Sequence, residues 1–194
     1  MPVPDFKRNN LWVQSFRLNG LKTNTISGSV WQAIQQRCKQ GPVRQKSATS
    51  YIGVENHFEN FQLFTDWYTT QIGYGKGYHI DKDILFPGNY YYSSEVCVLV
   101  PQCINNLIQS TQRKFDLPTG VYRNGHNFRA CITIDNEQIY LGTYETIEKA
   151  QDVYLENKIE YVKQVAENWK NEIDPRLYNA LQEPTKLILF KGKK

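Results

Sequence analysis

The chain has 194 residues, 40% hydrophobic and 13% aromatic, enough to bury a core in one domain or two small ones. Charged residues make up 22%, which excludes a wholly disordered chain. The 23 Lys and Arg exceed the 19 Asp and Glu to give a net charge of +4, which permits a polyanionic partner without requiring one. No apolar run approaches the roughly 20 residues that span a bilayer. The start, MPVPDFKRNN, is too polar for a secretory signal, so a soluble, cytoplasmic protein without a membrane partner is expected. Cys38, Cys97, Cys103 and Cys131 lack zinc-knuckle spacing, and His57, His79 and His126 lie far apart. The thiols are expected to be unpaired and buried.

In chain order, residues 1–28 carry no strong period and end in a polar stretch that reads as a loop. Residues 29–38 read as a helix capped by Ser29, with Trp31, Ile34 and Cys38 on one face. A polar loop holding Arg44 and Lys46 follows. A second helix is expected over 56–72, where Phe58, Phe61, Leu63, Phe64, Trp67 and Tyr68 form an aromatic stripe of the kind that makes core. The glycine-punctuated segment 73–78 is a turn, since no Lys-Ser/Thr pair carries it into a helix as a phosphate loop requires. Next come a short strand near 78–81, a loop around Pro87, Gly88 and Asn89, an apolar strand near 96–100 and a helix from Pro101. The polar run 109–120 supplies a boundary, dividing the chain into 1–112 and 113–194.

The second part has a cleaner order: strands over 120–123, 128–134 and 138–142, then a helix over 146–170. Phe128, Ala130, Ile132 and Ile134 alternate with Arg129, Cys131 and Thr133, the period of a sheet with one buried face. Asp135-Asn136 suits a hairpin turn. Thr146 suits a helix cap, and Glu145 and Glu148 suit its positive end. Ile147, Ala150, Tyr154, Tyr161, Val165 and Trp169 make a stripe that can cover the sheet. A shorter helix and a polar ending are expected beyond Pro175.

Three stretches stand out: Gly120-Val121, then Phe128-Arg129-Ala130-Cys131-Ile132, then Tyr140-Leu141-Gly142-Thr143-Tyr144-Glu145-Thr146 with Glu148 and Ala150. Together they resemble the Apetala/ethylene-response-factor type of DNA-binding domain over roughly residues 117–168. Gly142, Leu141 and Ala150 also have a plain packing explanation, because small residues let helix and sheet approach closely. The resemblance implies a sheet whose exposed face enters the major groove of duplex DNA. Carried over by position, that face holds Tyr122, Asn124, Asn127, Arg129, Thr133, Gln138 and Tyr140, with Arg123 and Arg113 or Lys114 for phosphates. The plant domains place several arginines there. This chain has Tyr, Asn, Thr and Gln at most of those positions, so guanine-rich specificity is not implied. Asn and Gln suit adenine, or the binding leans on DNA shape.

In bacteriophages and mobile elements, such domains often follow a His-Asn-His (HNH) homing-endonuclease module, and residues 78–108 resemble a degenerate one. An HNH site uses a His general base, an Asn that holds the following loop, and a divalent ion on the scissile phosphate. His79, Asp81, Lys82 and Asp83 fall at the strand end, Asn89 in the loop and Asn105 on the next helix. In one register His79 is the base, and Asp81 or Asp83 with Asn105 holds Mg²⁺ or Mn²⁺. In the other, Asp81-Lys82 aligns with the usual Asp-His pair, and Lys82 would repel the ion. Both registers stay open. A wider group of phage proteins extends the resemblance over about residues 30–168.

The expected fold is α+β: a degenerate HNH-like region of ββα-metal type over 1–112, then a three-stranded antiparallel sheet packed on a helix over 113–194. The expected function is double-stranded DNA binding of phage or mobile-element type, as a metal-dependent nicking enzyme or its inactive relative. The alternative is a phage protein that binds a host protein through the same scaffold without catalysis.

Overall fold

The computed structural model describes residues 3–39, 53–108 and 117–191. The fold is mixed α and β, made of small, mostly antiparallel sheets and helices. Two compact units form: residues 1–102 with 171–177, and residues 103–170 with 178–194. The boundary expected at 112/113, with Arg113 and Lys114, lies outside the described residues, as does the loop holding Arg44 and Lys46.

The first unit opens with two hairpins in a stretch where the sequence shows no strong period. Strand β1 (Lys7–Arg8) pairs with β2 (Leu11–Trp12), and β3 (Ser15–Leu18) pairs with β4 (Leu21–Asn24). Their two-residue turns, Asn9-Asn10 and Asn19-Gly20, have φ of 50°, 62°, 49° and 81°. Paired positive φ values match the right-handed twist of the flanking strands, and Asn and Gly adopt them most readily. Helix α1 (Ile26–Lys39) begins earlier than expected, because Thr25 and not Ser29 caps it. The buried Thr25 hydroxyl accepts from the Gly28 amide at 3.2 Å, and the Asp5 carboxylate accepts from the Ser27 amide at 3.1 Å. These bonds satisfy amides that a helix start leaves unpaired. Ser29 instead donates back to the Thr25 carbonyl at 2.9 Å.

Strand β5 (Glu55–Asn56) follows, then α2 (Phe61–Thr69), shorter than the expected 56–72. Asn60 stops it from starting sooner, since its extended backbone and its side chain serve the Gln62 and Leu63 amides. Phe64 and Tyr68 from α2 join Phe58, Ile34, Cys97 and Leu99 in the core, while Leu63 points away and is 49% exposed. Strand β6 (His79–Asp81) is antiparallel to β8 (Val98–Val100), and β7 (Tyr91–Tyr92) runs parallel to β5. Burial drives the Cys97 thiol up to about 12, so it acts as a small apolar group.

Helix α3 (Gln102–Ile108) begins at the division between the units. In the second unit, β9 (Val121–Asn124), β10 (Asn127–Ile134) and β11 (Glu137–Tyr144) form one antiparallel sheet in the order β11-β10-β9. Their turns are as short as the pairing allows: Gly125-His126, and Asp135-Asn136 with φ of 50° and 67°. Helix α4 (Ile147–Trp169) brings Ala150 onto Val121 and Ala130, with Phe128, Leu141, Tyr144 and Val153 around them. The Thr146 hydroxyl caps α4 by accepting from the Lys149 amide at 3.2 Å. Further along, Val162 and Ala166 are buried, whereas Tyr154, Tyr161, Val165 and Trp169 are only half-buried. Helices α5 (Pro175–Gln182) and α6 (Thr185–Lys191) follow, α6 lying where only a polar ending is expected.

All four cysteines are free; Cys97 and Cys131 are buried, Cys38 is half-buried and Cys103 is exposed. Among the described residues, no helix is long and apolar enough to cross a membrane.

Candidate nucleic-acid interface

The register of the three-stranded sheet decides which side chains share a face. Arg129 on β10 pairs with Tyr122 on β9 and with Thr143 on β11. Asn127 pairs with Asn124, Cys131 with Tyr140, and Thr133 with Gln138. Paired residues point to the same side, and alternate residues along a strand return to it. Tyr122, Asn124, Asn127, Arg129, Thr133, Gln138 and Tyr140 therefore lie on one face, away from the Val121–Ala130–Ala150 core. All are exposed except Tyr122, which is half-buried; Cys131, paired with Tyr140 on the same face, is buried. Arg123 pairs with Phe128 on the opposite face, its guanidinium 5.8 Å from that ring, so it does not join the set.

A residue that strict alternation misses does join it. The register shifts between Ala130 and Cys131, whose partners on β11 are Gly142 and Tyr140, so Leu141 is the extra residue of a β-bulge. Beyond the bulge, Thr143 falls on the face that counting from Gln138 and Tyr140 assigns to Gly142. Gly142 takes φ +135°, and a Cβ there would come within 2.5 Å of the Tyr144 hydroxyl. Glycine at this position is the one local sign of the bulge.

The face is braced internally. The Gln138 amide donates to the Tyr122 hydroxyl at 2.9 Å, and the Tyr140 hydroxyl meets Thr143 Oγ1 at 2.8 Å. Asn124 Nδ2 donates to the same Thr143 oxygen at 3.3 Å, and the Arg129 guanidinium sits 5.1 Å from the centre of the Tyr122 ring. Such bonds and the cation–π contact restrict rotamers before any partner arrives. Within the paired strands this face carries no Asp or Glu, because Glu137 pairs with Ile134 on the other side. Its one charge is positive.

The strand-end cluster of the first unit is arranged differently. His79 is exposed at the start of β6, paired with Val100. Asp81 Oδ1 accepts from the Asp83 amide at 2.8 Å and from the Ile84 amide at 2.7 Å, which makes it a turn-forming carboxylate. Lys82 is only 4% exposed; its ammonium lies 2.8 Å from Asp83 Oδ1 and also donates to the Asn89 carbonyl. Asn89 Nδ2 in turn donates to the Lys82 carbonyl at 3.0 Å. The expected loop-holding role of Asn89 is thus directed at Lys82, not at His79.

A divalent ion does not fit these residues. The buried Lys82 ammonium already occupies Asp83 and would repel a second cation. Asn105 is buried on α3. Among the described residues no three His, Cys, Asp or Glu side chains are grouped to hold a metal.

No protein-family model, curated protein or solved structure matches this chain.

Proposed function

We propose that the chain binds double-stranded DNA through the exposed face of the β9–β10–β11 sheet and does not cut it. The supporting observation is the composition of that face: Asn, Gln, Thr, Tyr and one Arg, pre-positioned by mutual hydrogen bonds, with no carboxylate to repel phosphate. A short twisted sheet of this kind fits the major groove, where these side chains read base edges. Arg129 has the geometry for a guanine edge or a phosphate. Asn124, Asn127 and Gln138 have the paired donor and acceptor that adenine presents. The Apetala-type resemblance of residues 117–168 points the same way. The first unit is then a non-catalytic scaffold, in which the buried Lys82 stands at the strand end where the HNH resemblance would put the base and the cation.

Fluorescence anisotropy with short labelled duplexes, mixed-sequence and A/T-rich, tests the reading. Binding should weaken steeply as salt rises, because phosphate contacts release counterions. Arg129→Ala should cost about 1–3 kcal/mol, the range for one good base or phosphate contact. Salt-insensitive binding, or an Arg129→Ala variant that binds as tightly as the parent, would favour a protein partner instead.

A further inference from the structure

The second unit holds a half-open cavity of about 690 Å³, within the size range of small-molecule sites. Its walls come from α3, the Pro118–Gly120 entry to β9, the outgoing end of β10, α4 and α6. Leu107, Ile108, Leu155 and Ile188 make much of it apolar, and Tyr154 adds a flat ring.

Among the described residues one cation, Lys158, lines this cavity. Lys158 on α4 has neither a hydrogen-bond partner nor an ion-pair partner among the described residues. Among the described residues the only carboxylate lining the cavity is Asp135, and it is engaged by the Tyr161 hydroxyl. The other titratable groups in the walls are Cys103, Tyr122, Cys131, Tyr154 and Tyr161. An ammonium held in such surroundings loses hydration without gaining a partner, a cost that a bound anion would offset. Burial accordingly lowers the Lys158 pKa to about 8.

We propose that this cavity binds a small organic acid, its anionic head paired with the Lys158 ammonium and its apolar body against Tyr154 and Leu155. The site lies within the second unit; Tyr122 and Thr133 of the proposed DNA-binding face also line the cavity, whereas Lys158 lies outside that face. A positive site of this size and mixed lining suits an aromatic or short acyl chain bearing one carboxylate, sulfonate or phosphate. A bare inorganic anion would leave the apolar walls unused.

The test uses the full chain and 8-anilinonaphthalene-1-sulfonate, a flat aromatic anion that brightens in apolar surroundings. The wild type should bind it saturably. Lys158→Met, which keeps the length of the side chain and removes its charge, should weaken binding by about tenfold or more. Lys158→Arg should retain affinity within about threefold, since it keeps the charge at a similar reach. Raising the pH from 7 to 9.5 should weaken binding to the wild type more than to Lys158→Arg, because at this position lysine loses its proton in that interval and arginine does not. A read-out without any variant is acetylation by an N-hydroxysuccinimide ester, mapped by mass spectrometry: the probe should slow labelling of Lys158 selectively. Equal affinity in Lys158→Met, or no protection of Lys158 in the wild type, would overturn the proposal. Retained duplex binding by Lys158→Met would show that the two sites are separate.

Discussion

Lys82 shows how one side chain can close a loop. Its ammonium is nearly excluded from water, paired with Asp83 and bonded to the Asn89 carbonyl, while Asn89 returns a bond to the Lys82 backbone. Removing one partner of such a pair leaves the other buried without compensation. Lys82→Met should therefore lower unfolding stability by about 3 kcal/mol, read by urea denaturation. A loss below roughly 0.5 kcal/mol would mean the pair behaves as an exposed one. Lys158 makes the opposite case, since its pKa is lowered to about 8 on folding. Between pH 8 and its ordinary value of 10.5 the unfolded chain holds more protons on this group than the folded one, so stability rises with pH in that window. Allowing for partial solvent screening, wild type should gain about 1–2 kcal/mol over that range relative to Lys158→Met, measured by denaturation at several pH values. At neutral pH the Lys158→Met variant should melt at or above the wild-type temperature.

At the scale of elements, the interface depends on how β9, β11 and α4 meet. Gly120 enters β9 at φ +82°, and a Cβ there would lie 2.0 Å from the Tyr154 ring on α4. Alanine would meet both backbone strain and the Tyr154 ring. Gly120→Ala should cost about 2 kcal/mol or more in thermal or chemical unfolding. Thr146 holds the start of α4 through one hydroxyl, and Thr146→Ala should cost about 1 kcal/mol. Both changes leave the exposed face chemically intact, so their effect on duplex binding should follow the loss of folded protein, not a loss of contacts. The bulge at Leu141 matters in another way: it turns Thr143 toward Tyr140 and Asn124, adding an oxygen that braces two of the expected contact residues.

For the whole molecule, the question is whether the first unit adds chemistry to the second. The proposal holds that it adds none. Purified protein incubated with supercoiled plasmid and Mg²⁺ or Mn²⁺ should leave the plasmid intact. Metal-dependent nicking that disappears in His79→Ala would sink the scaffold reading and restore the register with His79 as base. The two units also differ in how much of their architecture could be read in advance. The strands and long helix of the second are legible, because alternation in Phe128–Ile134 and the Asp135-Asn136 turn are short-range signals with one outcome each. In the first unit the hairpins at Asn9-Asn10 and Asn19-Gly20 are missed as strands, although their turn residues carry the signal. Their flanking residues are largely exposed, so no apolar alternation marks them.

What the sequence determined by itself is local: which residues alternate across β10, where α4 starts, and which positions take positive φ. Backbone sterics and capping act over a few residues, so they leave their mark in the order of amino acids. The tertiary structure alone decided that Thr143 joins the sheet face, that Lys82 is buried against Asp83, and that Lys158 lies in a cavity without a counter-ion among the described residues. Those outcomes depend on register shifts, desolvation and approaches between segments distant in sequence, and none of these has a short-range signature.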